Sequence, residues 1–333
     1  MSSIRDVAKE AGVGVGTVSR ALNHTGYVSP STRKKIEKAA RKLEYTPNEL
    51  ARNLYRNRSG IVGLIVPDLD HPFFACLTRN IEMELYRQGY KTMICNAVGI
   101  SDREREYLDM LERNMVDGII TGSHILDGEE YLKQKTPIVS IDRDFGSQIP
   151  IVGSDHRMGG KMAAELMIGS HCRKVLHISG VSPNIFANER HKMFQQVLEE
   201  RQVEVLQFAM DWNTFHWDAH YRMAEEIFRK HPDIDGVFSG DLGAAACMNV
   251  ALQKGMRIPE DICLVGFDAT SITRMVYPCL TAIRQNVELL AEISVNTLLD
   301  QVEQRKNVPH RQILEVDIQR GGTTRAESED IDL

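Results

Sequence analysis

The sequence predicts a small all-α helix-turn-helix head joined to an α/β body of two doubly wound, parallel-sheet lobes. Three observations lead there. In the first 45 or so residues the apolar positions recur only at helical spacing. From Ser59 onward, short continuous apolar runs alternate with helical stretches, the signature of parallel strands covered on both faces. The body is about 275 residues long, more than one hydrophobic core comfortably serves, so two lobes are expected.

Charge divides at the same place. Residues 1–58 carry 12 Lys/Arg against 5 Asp/Glu, a net of +7, while residues 59–333 carry 28 against 41, a net of −13. A basic head on an acidic body points to nucleic-acid contact by the head alone.

In the head, Ile4, Val7, Ala8 and Ala11 form one apolar stripe, Gly12 supplies a tight turn, and Val13 plugs the angle between helices. Val18, Ala21 and Leu22 repeat the spacing on a second helix from Val15 to Asn23. Two short helices joined by such a turn can set the second into a DNA major groove. A third helix starts with Ser29 as N-cap and Pro30 at its first position. Its stripe is Ile36, Ala39, Ala40 and Leu43, and its Lys and Arg residues lie outside. So small a core makes the head only marginally stable.

Thr46-Pro47 opens another helical pattern, Asn48–Asn57, with Leu50, Ala51 and Leu54 on one face. It is shorter than the ~12–15 residues that an isolated helix needs in water, so it should order only against a partner.

The strand-like runs of the body are 61–67, 91–96, 117–123, 137–142, 174–180, 235–241 and 261–268. The helical stretches between them are 74–88, 102–114, 156–169, 187–201, 217–231 and 242–254. Ligands of such folds bind at the carboxyl ends of strands. Those ends here are Asp68, Ser123, Asp142, Asp241 and Asp268, each of which could instead simply cap the helix that follows.

Several classes find no support. Six cysteines lie scattered without C-x-x-C spacing, so no zinc site or redox pair is expected. No phosphate-binding glycine loop appears, and no cofactor is expected. MSSIRDVAKE lacks a signal core and no apolar run is long enough to span a bilayer, which argues for a cytoplasmic protein and against an exported receptor or membrane partner. No catalytic set is recognisable, so an enzyme is not expected. The acidic tail 326–333 is expected to be disordered.

AxxAGVxxxTVSRxLN, then VSPSTRKKI, YTPNELARNL and SGIVGLIVPD, together resemble the lactose-repressor/galactose-repressor (LacI-type) family of bacterial transcription regulators. The resemblance spans about residues 3–325, and LERNMVDGII and GGKMAAELM look most like its sucrose-operon members, then its ribose-operon members. It implies a periplasmic-binding-protein-like core, a homodimer, an operator DNA partner, and control by a sugar or sugar phosphate between the lobes. The implied organisation is a DNA-binding domain 1–47, a hinge 48–58, a first lobe 59–155 plus 285–311, and a second lobe 156–284 plus 312–325.

Carried over position by position, Val15, Gly16 and Arg20 would read bases, and Arg20 could donate twice to a guanine edge. Thr17, Ser19, Asn23, Tyr45 and Asn48 would position the backbone. Ala51 and Leu54 would face the minor groove, Leu54 as an apolar wedge. Gly14 stands where the family usually has serine, which weakens the cap of the second helix slightly. For the effector, Phe73 and Phe74 would form an apolar platform, with His124, Asp142, Arg143, Arg190, Asp241, Asp268 and Gln285 supplying polar contacts. Gly240 and Asn286 depart from common family residues. Two other readings stay open: a sugar receptor without a transcriptional role, and a regulator answering to a protein or a nucleoside or purine.

Overall fold

The computed structural model describes residues 2–22, 26–45, 58–123, 125–180, 188–211, 214 and 216–325. They belong to two compact units that divide between Ser59 and Gly60.

The head contains α1 (Ile4–Ala11), α2 (Val15–Leu22) and α3 (Pro30–Lys42). Ser3 and Asp6 form a reciprocal cap at the start of α1: the Asp6 carboxylate accepts from the Ser3 backbone N–H at 2.8 Å. Gly12 ends α1 with φ +68°, a left-handed conformation that permits the sharp turn into α2. Val7, Val18 and Ile36, one from each helix, are fully buried at the centre, ringed by Ala8, Ala21, Ala39 and Ala40.

The body holds two six-stranded sheets. The first contains β1 (Ile61–Val66), β2 (Lys91–Asn96), β3 (Gly118–Thr121), β4 (Ile138–Ile141), β5 (Ile151–Ser154) and, far on in sequence, β11 (Arg311–Leu314). Its order is β11-β5-β4-β3-β1-β2, parallel throughout. The second contains β6 (Lys174–Gly180), β7 (Glu204–Met210), β8 (Gly236–Phe238), β9 (Cys263–Asp268), β10 (Thr281–Arg284) and β12 (Asp317–Gln319), in the order β12-β10-β9-β8-β6-β7. Here β12 runs antiparallel to β10, a departure from the all-parallel expectation at one edge.

Each sheet carries an apolar cluster on both faces, which is why its inner strands read as unbroken apolar runs. Helices α4 (Pro72–Arg87) and α12 (Val287–Val302) cover one face of the first sheet, packing Leu77, Ile81 and Leu85 among Leu290, Val295 and Leu298. On the second, α7 (His156–Gly169) and α8 (Asn188–Glu200) lie side by side over Val175, Phe238 and Phe267.

The chain passes between the lobes at Asp155, at Gln285-Asn286 and at Glu315-Val316. The last passage falls later than the expected boundary at 311/312. Arg311 to Leu314 pair in register with Ile151 to Ser154, so this strand completes the first lobe. Among the described residues, no helix is long and apolar enough to cross a membrane.

Candidate functional site

Two sites arise, one in each unit. In the head, the start of α2 presents Val15, Gly16 and Arg20 to solvent, with Thr17 and Ser19 half-buried beside them. Arg20 lies within 3.5 Å of the Thr17 hydroxyl, to which it donates. Arg33 of α3 donates to the Ala21 carbonyl at the end of α2 at 2.5 Å, so a guanidinium closes the helix terminus where positive charge is favoured. Tyr45 sits half-buried after α3 and packs on the head core. Asn23, Asn48, Ala51 and Leu54 lie outside the described residues.

In the body, the carboxyl ends of both sheets and the segments joining the lobes surround a cavity of about 150 Å3. A cavity of that size accommodates one six-membered ring. From the first lobe come His71, Phe73, Phe74 and Asp142. From the second come Asn188, Arg190, His220 and Asp268, and Gln285 comes from a connecting segment.

Backbone geometry sets the carboxylates. Asp142 and Asp268 end strands with φ +55° and +107°, left-handed conformations that cost energy in residues other than glycine and cluster at functional sites. Neighbouring strands supply the space. A Cβ on Gly153 would stand 2.5 Å from Asp142 Oδ1, and one on Gly266 would stand 2.6 Å from Asp241 Oδ1. Asp142 accepts the Ser154 backbone N–H at 3.1 Å and lies 3.0 Å from His156 Nε2, tying the end of one sheet to the helix that opens the other lobe. Gln285 donates to Asp268 at 2.7 Å.

Arg190 is the cation of the chamber. Its guanidinium lies 4.2 Å from the centre of the Phe267 ring, and its Nε donates to His191 Nε2 at 3.5 Å. Burial pulls its pKa down, against the charges of Asp268, Asp142 and Asp241. Gly160 admits it: a Cβ there would stand 2.1 Å from the Arg190 carbonyl oxygen, so only glycine lets α7 and α8 approach this closely.

Burial holds four histidines in and around the chamber, His71, His177, His191 and His220, neutral. His71 caps α4 by accepting the Phe73 N–H on Nδ1 at 3.2 Å, which leaves its ring proton on Nε2. Burial, with Arg190 adding, pushes His71 down to about 3 and His177 to about 4. Burial lowers His191 and His220 as well. Asp268 is pushed up to about 6 by burial despite the opposing charge of Arg190.

Of the nine effector residues expected from sequence, Phe73, Phe74, Asp142, Arg190, Asp268 and Gln285 line the cavity. Two others lie elsewhere. Arg143 donates to the Leu126 carbonyl at 2.5 Å and stacks on Phe145 at 4.6 Å, turning into the first lobe. Asp241 accepts from the Thr270 backbone N–H at 2.6 Å and hydroxyl at 2.8 Å, holding the loop behind Asp268. His124 lies outside the described residues. Sequence reading passed over His71, His156, Asn188 and His220. Only His71 had a local signal, because a polar residue directly before Pro72 at a helix start is a natural N-cap.

An all-α head before two Rossmann-like lobes around a small polar chamber defines a DNA-binding regulator with a built-in ligand receptor. The chain belongs to the lacI family of bacterial regulatory proteins. Residues 3–48 match that family and residues 164–324 match the periplasmic binding protein-like domain. The chain is 37% identical over 306 residues to the ribose operon repressor of Halalkalibacterium halodurans, covering 92% of each chain. It is 36% identical over 323 residues to the sucrose operon repressor of Streptococcus mutans, covering 96% of this chain and 99% of that one. A periplasmic binding protein/LacI transcriptional regulator from Alkaliphilus metalliredigens QYMF, complexed with D-xylulofuranose, superposes with a TM-score of 0.73. It is 28% identical, over 80% of this chain and 100% of that one.

Proposed function

We propose that this chain is a cytoplasmic, homodimeric repressor of a carbohydrate-utilisation operon, released or engaged by a sugar bound between its lobes. The chamber carries this reading. Carboxylates, one guanidinium and an amide converge on a ring-sized space floored by Phe73 and Phe74, which suits hydroxyls on an apolar ring face. The names of the relatives support it, since they are repressors of ribose and sucrose operons.

In the head, Val15, Gly16 and Arg20 would read bases, while Thr17, Ser19, Asn23, Tyr45 and Asn48 would position the backbone. The 48–58 segment would pair with its copy in the partner protomer, with Ala51 at the groove and Leu54 wedged into a base step. A sugar that favours one angle between the lobes would favour or oppose that pairing. Operator and sugar would then be coupled by a free energy of roughly 1–3 kcal/mol. The protein acts by binding, not turnover.

Fluorescence anisotropy of a labelled duplex from the gene's own promoter, titrated at fixed salt with and without sucrose, fructose or ribose, tests this. A several-fold shift with one sugar supports the reading, and its sign separates inducer from corepressor. Tight binding that no sugar alters refutes the sugar control, and hydrolysis of a bound sugar refutes the non-enzymatic role.

A further inference from the structure

We propose that the chamber selects an uncharged, hydroxyl-rich sugar and rejects its phosphate esters. This deepens the sugar reading and rests on it.

Arg190 is the one Lys or Arg among the described lining residues, and Asp142 and Asp268 face the same space. Arg190 is already compensated, because the charges of Asp268, Asp142 and Asp241 all act on it. The next guanidinium, Arg143, is turned away onto Leu126 and Phe145. Residues 124, 181–187, 212–213 and 215, which lie outside the described set, contain no Lys or Arg in sequence. A phosphate dianion would therefore meet the carboxylates of Asp142 and Asp268 with only the Arg190 guanidinium to set against them.

The walls also hold unmet acceptors. Besides the carboxylates, Gln285 Oε1 and His220 Nδ1 are buried acceptors without a hydrogen-bond partner among the described residues. The His220 ring is oriented by its other nitrogen, Nε2, which lies 3.0 Å from the Thr214 carbonyl. A sugar hydroxyl can donate to each of these acceptors and so relieve the cost of burying them. A phosphate dianion has no proton to donate, so it leaves these two acceptors unmet.

The test is calorimetric titration of the full chain at pH 7.5 and fixed salt. The probes are D-fructose, D-ribose, D-glucose and sucrose, each beside its phosphate esters. One neutral sugar should bind, with its phosphate esters weaker by about a hundredfold or more, the scale of an uncompensated charge meeting carboxylates in a partly buried site. A phosphate ester that binds as tightly as its parent sugar overturns the inference and leaves the sugar reading standing. No heat from any neutral or phosphorylated sugar overturns the sugar reading and the inference together.

Asp268→Asn keeps the shape and removes one charge, so the ratio of phosphate to parent affinity should rise by about tenfold or more. An unchanged ratio refutes electrostatic exclusion as the cause. Asp142→Asn repeats the measurement from the other lobe, so the conclusion does not depend on one variant folding.

Discussion

Gly160→Ala tests whether the approach of α7 to α8 places Arg190. The added Cβ would stand 2.1 Å from the Arg190 carbonyl oxygen and 2.8 Å from its carbonyl carbon and Cα, all rigid backbone. Ordinary contact begins near 3.4 Å, so the two helices must separate by about 1 Å. Overpacking of this kind costs about 1–3 kcal/mol. At roughly 2–4 °C per kcal/mol for a unit of this size, the body should melt about 2–12 °C lower.

The displacement acts on function as well. Arg190 is held by Phe267 on one side and His191 on the other, so a shift of its backbone moves the guanidinium away from Asp268 and the ligand. Loss of one charge-assisted hydrogen bond to the sugar is worth about 1.5–3 kcal/mol, or roughly 10–150-fold in affinity. Differential scanning fluorimetry and sugar titration read the two effects on one sample. Lys161→Ala, one residue on and exposed beside Glu165, should change neither. A Gly160→Ala protein with unchanged melting and unchanged sugar affinity would show that the close approach does not position Arg190.

Three further outcomes are expected. Arg20→Ala should weaken binding to the specific operator by about 1–3 kcal/mol while the thermal transition of the body stays in place; equal loss on specific and random duplexes would remove its base-reading role. Arg143→Ala should lower stability by roughly 1–3 kcal/mol, since it strips a buried carbonyl contact and a ring contact, yet leave sugar affinity within about threefold. A large fall in affinity at normal stability would return Arg143 to the site. Acid should destabilise the body. The unfolded chain takes up protons on His71 and His177 near 6.5, whereas the folded chain does so only near about 3 and about 4, so stability falls as pH drops below 6.5. Asp268 opposes this below pH 6, because its folded pKa of about 6 exceeds the ordinary 3.8. These three groups give a loss of roughly 2–3 kcal/mol between pH 7.5 and 5, read from urea midpoints, to which the lowered His191 and His220 add and which the raised Asp241 and Glu104 oppose; a level or rising profile refutes neutral burial of these histidines.

The sequence carried the fold through its inner strands and said less about its edges. IVGLIV and CLVGFD are buried on both sides and read as strands at once. EVLQFAM of β7 alternates between half-buried and exposed at a sheet edge, and no continuous run announces it. IVGS of β5 and RQIL of β11 are four residues each, and their pairing joins positions about 160 apart, which no local pattern records. The candidate site divides in the same way. Asp142, Asp268 and Gln285 sit where strands end, so topology points at them. Arg143 follows Asp142 directly, but the left-handed turn at Asp142 sends the next side chain into the lobe. His156 and His220 lie on helices distant in sequence and enter only through packing.

The placement of the polar groups bears on how a ligand could act at a distance. A ligand shifts a conformational equilibrium only by the difference in its affinity for the two states. A sugar held wholly by one lobe would bind equally well at every lobe angle and transmit nothing. Here Asp142 and His71 belong to the first lobe, Arg190 and Asp268 to the second, and Gln285 to a segment connecting them. Gln285 already donates to Asp268, while its buried oxygen has no partner among the described residues. A hydroxyl that satisfies that oxygen and also reaches Asp142 can do so only over a narrow range of lobe angles. Two other passages, at Asp155 and at Glu315-Val316, tether the same lobes. Affinity and angle are then set by the same few contacts, which is the physical requirement for a sugar to change what the head can bind.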